Sequence, residues 1–173
     1  MLLLENDAPR EYGCLMGYCP ENIKSYFVKF AKTAIPEEDL YIDPNDPSFG
    51  YEEDPHVTVK YGFKPDLTKQ DLAKILQGAK PFTVTFKALN LFENEKFDVV
   101  KFEVEPVPQL LELRRKCDQY KNEDTYPEYK PHSTVAYVKK GKFKTLRENL
   151  NIPFPISRFK YSGADGRKLM INL

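Results

Sequence analysis

The sequence predicts an α+β fold in which mainly antiparallel strands form two similar lobes, with helices outside and a cleft between. Three observations lead there. A seven-residue phrase occurs twice, as Pro55-His56-Val57-Thr58-Val59-Lys60-Tyr61 and Pro131-His132-Ser133-Thr134-Val135-Ala136-Tyr137, and matches at five positions. Turn signals at Asn94-Glu95 and Asp165-Gly166 join runs of strand character into hairpins. Segments with a 3.6-residue apolar stripe separate the strand runs. A chain of 173 residues suits one domain, or two small lobes that share a core, so residues 1–173 read as a single two-lobed domain.

Taken in order, residues 11–19 read as a strand whose two glycines allow close approach of a ligand or a neighbouring backbone. Pro20 suits the first turn of a helix, and Ile23, Phe27, Phe30, Ala31 and Ala34 keep a helical stripe that packs on the sheet. From Pro36 to Pro55 the chain is rich in Pro, Asp and Glu, with Leu40-Tyr41-Ile42 as a short strand at most. This stretch is either a lid, with Phe49 and Tyr51 to stack on a base, or a surface loop pinned by its own aromatics. After the first motif Thr68 caps a helix through about Gln77, with Gly78 as its stop.

Phe82 to Phe92 and Phe97 to Glu105 form a hairpin. Gln109 to Tyr120 make a helix with Leu110, Leu113 and Cys117 on one face. Residues 121–131 form a second acidic, Pro-punctuated, Tyr-containing loop that leads into the second motif, as 36–55 leads into the first. Beyond it, Phe143 to Leu150 read as a short helix. Pro153 and Pro155 then precede a strand from Ile156 to Ser162, and Gly163 to Gly166 turn into Arg167 to Leu173.

Composition narrows the function classes. The chain carries 26 basic and 26 acidic residues, a formal charge of zero. Tight binding to a long nucleic acid draws on phosphate neutralisation and a positive surplus, so neutrality favours a small phosphodiester in a local pocket. The apolar start Met1-Leu2-Leu3-Leu4 is too short for a signal core or a membrane span, and a cytoplasmic protein is expected. Cys14, Cys19 and Cys117 lack metal-ligand spacing and read as reduced and buried.

The repeated phrase carries the chemistry. Both histidines of the protein sit at its second position, two residues before a Thr. Each copy reads as a strand, so strict alternation puts His56, Thr58 and Lys60 on one face and Val57, Val59 and Tyr61 on the other. His132, Thr134 and Ala136 share the corresponding face of the second copy. A lone His on a strand is more often structural, but confinement of both to one repeated phrase makes them candidate catalytic residues. The pattern resembles the two-histidine phosphoesterase superfamily, which includes RNA ligase-like 2′,3′-cyclic phosphodiesterases, 2′,5′-oligonucleotide-degrading enzymes and phage anti-CBASS nucleases. The long first motif, from Glu52 to Gly62, looks most like the anti-CBASS branch. The resemblance implies the two-lobed two-histidine phosphoesterase fold and a substrate such as a cyclic di- or trinucleotide.

An imidazole titrates near pH 6.5, so one histidine can be the base and the other the acid on opposite sides of a phosphodiester. Thr58 and Thr134 can donate to the non-bridging oxygens where charge accumulates. Lys60 would add a positive charge on one side, and Tyr12 and Tyr161 are candidate substrate contacts among Tyr12, Tyr18, Tyr126, Tyr129 and Tyr161. These tyrosines suit core positions equally well. No cofactor and no metal are expected, because two histidines without a carboxylate cluster are poor material for Zn²⁺ or Mg²⁺. A nucleotide-sequestering protein without turnover is the rival from another class.

Overall fold

The computed structural model of the chain describes residues 11–123 and 128–173. Strand β1 (Gly13–Tyr18) leads into helix α1 (Glu21–Ala34) and, after a 3₁₀ turn at Glu37–Asp39 and a loop, into β2 (His56–Phe63). Helix α2 (Lys69–Ile75) follows, then β3 (Phe82–Glu93), β4 (Phe97–Glu105), helix α3 (Pro108–Cys117) and β5 (His132–Lys139). Strands β6 (Ile152–Ile156), β7 (Arg158–Ser162) and β8 (Lys168–Asn172) complete the described residues. Two four-stranded antiparallel sheets result, in the orders β2-β1-β7-β8 and β5-β4-β3-β6. The strand–helix–loop–strand succession β1-α1-β2 recurs as β4-α3-β5, and each succession ends in a histidine strand at a sheet edge.

Each succession covers the other's sheet. Phe27 of α1 packs on Phe86, Phe102 and Phe154 of the second sheet, at ring separations of 5.2, 5.9 and 5.4 Å. Helix α3 packs on β2, where Arg114 donates to the Val59 carbonyl at 3.2 Å. The loops cross in the same way. The loop before β2 runs along the free edge of β5, with Tyr137 N–H donating to Gly50 O (2.8 Å) and Glu52 N–H to Val135 O (3.0 Å). On either side of residues 124–127 the chain before β5 is tied to β2, with Glu123 N–H donating to Gly62 O (2.8 Å) and the Tyr129 hydroxyl to Thr58 O (2.8 Å). Both edges are thereby kept from pairing with foreign strands. The first loop is pinned by its own aromatics: Phe49 packs on Tyr41, Phe97 and Tyr137, and the Tyr51 hydroxyl donates to Ile35 O.

One hydrophobic core serves both sheets, drawing on Leu15, Val57 and Phe159 from the first and Phe86, Phe102 and Phe154 from the second. All three cysteines are free and buried. Thr68 caps α2 through a reciprocal capping box with Asp71, as expected of a Thr ahead of an acidic first turn. Gly13 and Gly17 make room for side chains: a Cβ at Gly13 would run into the Tyr161 hydroxyl, and one at Gly17 would press on Ile156 and Phe159.

Two expectations fail. Residues 143–150 are not a helix, because Arg147 and Leu150 pair with Leu89 and Lys87 and cover the stretch of β3 that β6 leaves open. The run from Ile152 to Ser162 is two strands, β6 in one sheet and β7 in the other, crossing at Ser157. Pro153 and Pro155 lie inside β6, which is tolerated because β6 is an edge strand and alternate residues need no N–H toward the ladder.

Candidate active site

The two histidine strands are built alike down to their irregularity. Thr58 pairs with Met16 but Lys60 with Leu15, so Val59 is an extra residue in β2. Thr134 pairs with Lys101 and Ala136 with Val100, so Val135 is extra in β5. Each is a β-bulge at the fifth position of the repeated phrase, and a bulge re-aims the residues that follow it. Val59 and Lys60 are consecutive buried residues, as are Val135 and Ala136. His56, Thr58 and Tyr61 therefore share the outer face of β2, as His132, Thr134 and Tyr137 do on β5.

Lys60 is thus turned inward, a correction to its place in the alternation. Only 2 % exposed, it donates to Asp118 at 2.8 Å beyond the end of α3. Tyr161 is likewise internal: it is fully buried, its hydroxyl donates to Asp66 (2.6 Å) and accepts from Leu67 N–H (2.9 Å). Both are withdrawn from the surface. Tyr12 is half-buried at the far end of the histidine face, edge-on to Tyr61 at 5.6 Å with the Lys64 ammonium over its ring. Tyr129 holds the Thr58 carbonyl, and Tyr126 lies outside the described residues.

Both imidazoles are anchored identically. His56 Nδ1 donates to the carbonyl of Asp54 (2.9 Å), and His132 Nδ1 to that of Lys130 (3.0 Å), each two residues upstream. A proton fixed on Nδ1 leaves Nε2 as the working nitrogen. Burial lowers the proton affinity of His132, the Lys130 carbonyl opposes that, and the charges of Lys101 and His56 add to the lowering.

The surroundings differ between the lobes. The His56 ring lies 5.2 Å from the Tyr18 ring, and Tyr18 in turn carries the Lys160 ammonium at 5.6 Å. Asp54 pairs with Lys24 (3.3 Å) and Lys160 (3.7 Å). Glu52 accepts from Asp54 N–H at 2.9 Å, and burial pushes its carboxyl up while His56 pulls it back. It lines a small cavity with Pro55, Ser133, Thr134 and Val135, between the two motifs. On the other side Lys101, paired with Thr134 across the sheet, is 4 % exposed and donates to Asn90 Oδ1 at 2.6 Å and Glu103 Oε1 at 3.3 Å. Sequence reasoning missed Lys101 and Lys160. A lysine set directly between Val100 and Phe102 was the available signal for the first.

A family model described as the 2′-5′ RNA ligase superfamily matches residues 41–162, which include both motifs. The chain belongs to this superfamily. It is the two-histidine phosphoesterase family that the repeated phrase resembles, and the fold agrees with it. The chain is similar to a protein of Oceanobacillus iheyensis named "Putative phosphoesterase OB1230", at 34 % identity over 89 residues. That match covers 47 % of this chain and spans about half, 51 %, of the relative. Among solved structures it is similar to E. coli LigT complexed with 3′-AMP (TM-score 0.60, 14 % identity, 93 % of this chain and 94 % of that one). Kluyveromyces marxianus Usb1 with uridine monophosphate also shares the fold, at TM-score 0.60 and 10 % identity over 95 % of this chain and 99 % of that one. Among the described residues of this superfamily member, no helix is long and apolar enough to cross a membrane, and no group of three or more His, Cys, Asp and Glu could hold a metal ion.

Proposed function

We propose that the protein is a phosphodiesterase in which His132 is the general base, His56 the general acid, and Thr58 and Thr134 hydrogen-bond the phosphate. The observation that carries this is the pseudo-symmetric pair of Nδ1-anchored imidazoles, each with a Thr two residues on along the same face. The roles follow from the neighbours. Burial, with Lys101 nearby, lowers the proton affinity of His132 and favours it as the group that accepts a proton, which leaves His56 to give one. With a ribose 2′-hydroxyl as nucleophile, His132 takes its proton and the oxygen bonds to phosphorus. The bond from phosphorus to the 5′-oxygen breaks, and His56 supplies the proton that oxygen needs. A 2′,3′-cyclic phosphate is the product, and water can open it with the roles exchanged. The threonine hydroxyls meet the charge on the non-bridging oxygens.

The substrate we favour is a cyclic di- or trinucleotide messenger, cut as a phage would cut it to silence CBASS defence. Its support is the balanced charge, which suits a small ligand, and the likeness of residues 52–62 to the anti-CBASS branch. The solved LigT and Usb1 structures named above hold mononucleotides, which agrees with a small nucleotide substrate in general. The test is incubation in EDTA with 3′,3′-cyclic GMP-AMP, cyclic di-AMP, cyclic tri-adenylate, 2′,5′-oligoadenylate and an RNA ending in a 2′,3′-cyclic phosphate, with products resolved by mass. His56→Ala and His132→Ala are the controls. Linearised cyclic nucleotides from wild type alone are expected; turnover confined to the last two substrates replaces the messenger with RNA ends or 2′,5′ linkages. Binding without cleavage of any substrate leaves the sequestering function.

A further inference from the structure

The face of the second sheet beside His132 holds a cluster whose only part in the acid–base chemistry is the charge of Lys101. In the antiparallel register Lys101 and Glu103 of β4 pair with Thr134 and His132, and Asn90 and Phe92 of β3 pair with Lys101 and Val99. All lie on the histidine face. The Lys101 ammonium is almost wholly buried, a costly position for a charge unless partners meet it. Asn90 and Glu103 meet it from the sheet, and Phe92 closes over it with its ring centre 4.2 Å from Nζ. The same ring stands perpendicular to His132, at 87° and 4.9 Å.

Phe92 is therefore held on one face by an ammonium and at its side by a histidine, yet 37 % of it remains exposed. A rigid aromatic surface kept in water next to a reacting group suits a nucleobase, which every base can engage through its π-face. Glu103 supplies the edge. Asn90 Nδ2 and Lys101 Nζ both donate to its Oε1, and these bonds hold the carboxyl below its usual range, so the group is ionised at neutral pH. The side chain is half-exposed and both of these bonds fall on Oε1, which leaves Oε2 as an acceptor for a base edge. A base edge that suits a carboxylate must offer N–H groups, and guanine alone offers an imino and an amino group side by side.

We infer that this face is a nucleobase subsite in which Phe92 stacks on the base and Glu103 accepts from the N1–H and exocyclic amino group of guanine. The inference deepens the phosphodiesterase reading and rests on it for the place of the scissile phosphate. The test is calorimetric titration of wild type, Phe92→Ala, Phe92→Trp and Glu103→Gln with the 3′-monophosphates of guanosine, adenosine and uridine, beside the turnover assay. Guanosine is expected to bind about tenfold more tightly than adenosine. Phe92→Ala should weaken all three by about ten- to a hundredfold, the usual size of a lost stacking contact, and Phe92→Trp should restore them. Glu103→Gln, which keeps an acceptor for Asn90 and Lys101, should erase the guanine preference and leave adenosine binding unchanged. Equal affinities in wild type, or a Phe92→Ala variant that binds as wild type does, overturn the subsite. Guanine-selective binding without cleavage of any diester leaves the subsite standing and removes the catalytic reading; cleavage with no base preference does the reverse.

Discussion

At His132 the causes that set the proton affinity can be named residue by residue. Burial disfavours the imidazolium, the Lys130 carbonyl opposes that, and the nearby Lys101 and His56 reinforce it. A base whose proton affinity is lowered stays neutral to lower pH than a free imidazole, whose midpoint is about 6.5. The acid limb of kcat/KM should accordingly fall below that value, and Lys101→Met, by removing a cation, should move it upward; a pH–rate profile that does not shift rules out this coupling. Lys60 makes the opposite prediction. Its ammonium is buried on the core side and its partner Asp118 is half-exposed, so Lys60→Met replaces an internal ion pair by packing. Such replacements are often neutral or mildly stabilising. KM should be unchanged and the urea midpoint should not fall; a raised KM would put Lys60 back on the substrate side.

The strands show how far a sequence pattern reaches. Type and order of β1 to β5 and of the three α-helices were legible because apolar period and turn chemistry agree along most of the chain. The face of Lys60 was not, since alternation assumes an unbroken pleat and the extra Val59 carries no mark that separates it from Val57. The repeat itself held the clue in retrospect: Val59 and Val135 are among the five positions the two copies share. Residues 143–150 misled for another reason, because their helical period is overridden by the unpaired stretch of β3 they must cover. The segment just ahead of β2 makes its own prediction. Glu52 is raised by burial, so the folded state binds its proton more tightly than the unfolded chain does. The resulting cost is absent at low pH and grows as pH rises from the ordinary Glu value of about 4.3 through the raised folded one. Glu52→Gln keeps an acceptor for Asp54 N–H without the charge. Denaturant melts should show it more stable than wild type at pH 7.5, with the gain vanishing near pH 4.

Across the whole molecule, two carboxylates act as tie points. Asp66 accepts from the Tyr161 hydroxyl and from the N–H groups of Ala164 and Asp165, joining the loop after β2 to the β7–β8 turn. Asp98 accepts from Lys140 and from Gly141 N–H at the end of β5. Although desolvation acts against both, the hydrogen bonds prevail and hold each carboxyl below its ordinary range. Their stabilising share is complete above the unfolded value near 3.9 and is lost as pH falls through the lower folded one. Asp98→Asn should therefore lower stability at pH 7 and narrow its gap to wild type in acid, as thermal melts across that range would report. Tyr161→Phe should cost about 1–3 kcal/mol, the usual penalty when a buried hydroxyl that both donates and accepts is removed. The two crossed loops set a limit of a different kind. Each is anchored to the far lobe, so swinging the lobes apart would tear backbone hydrogen bonds on both sides at once. The relation of the two histidine strands is therefore set by the fold before any ligand arrives, and on the phosphodiesterase reading selection by fit comes before any chemistry.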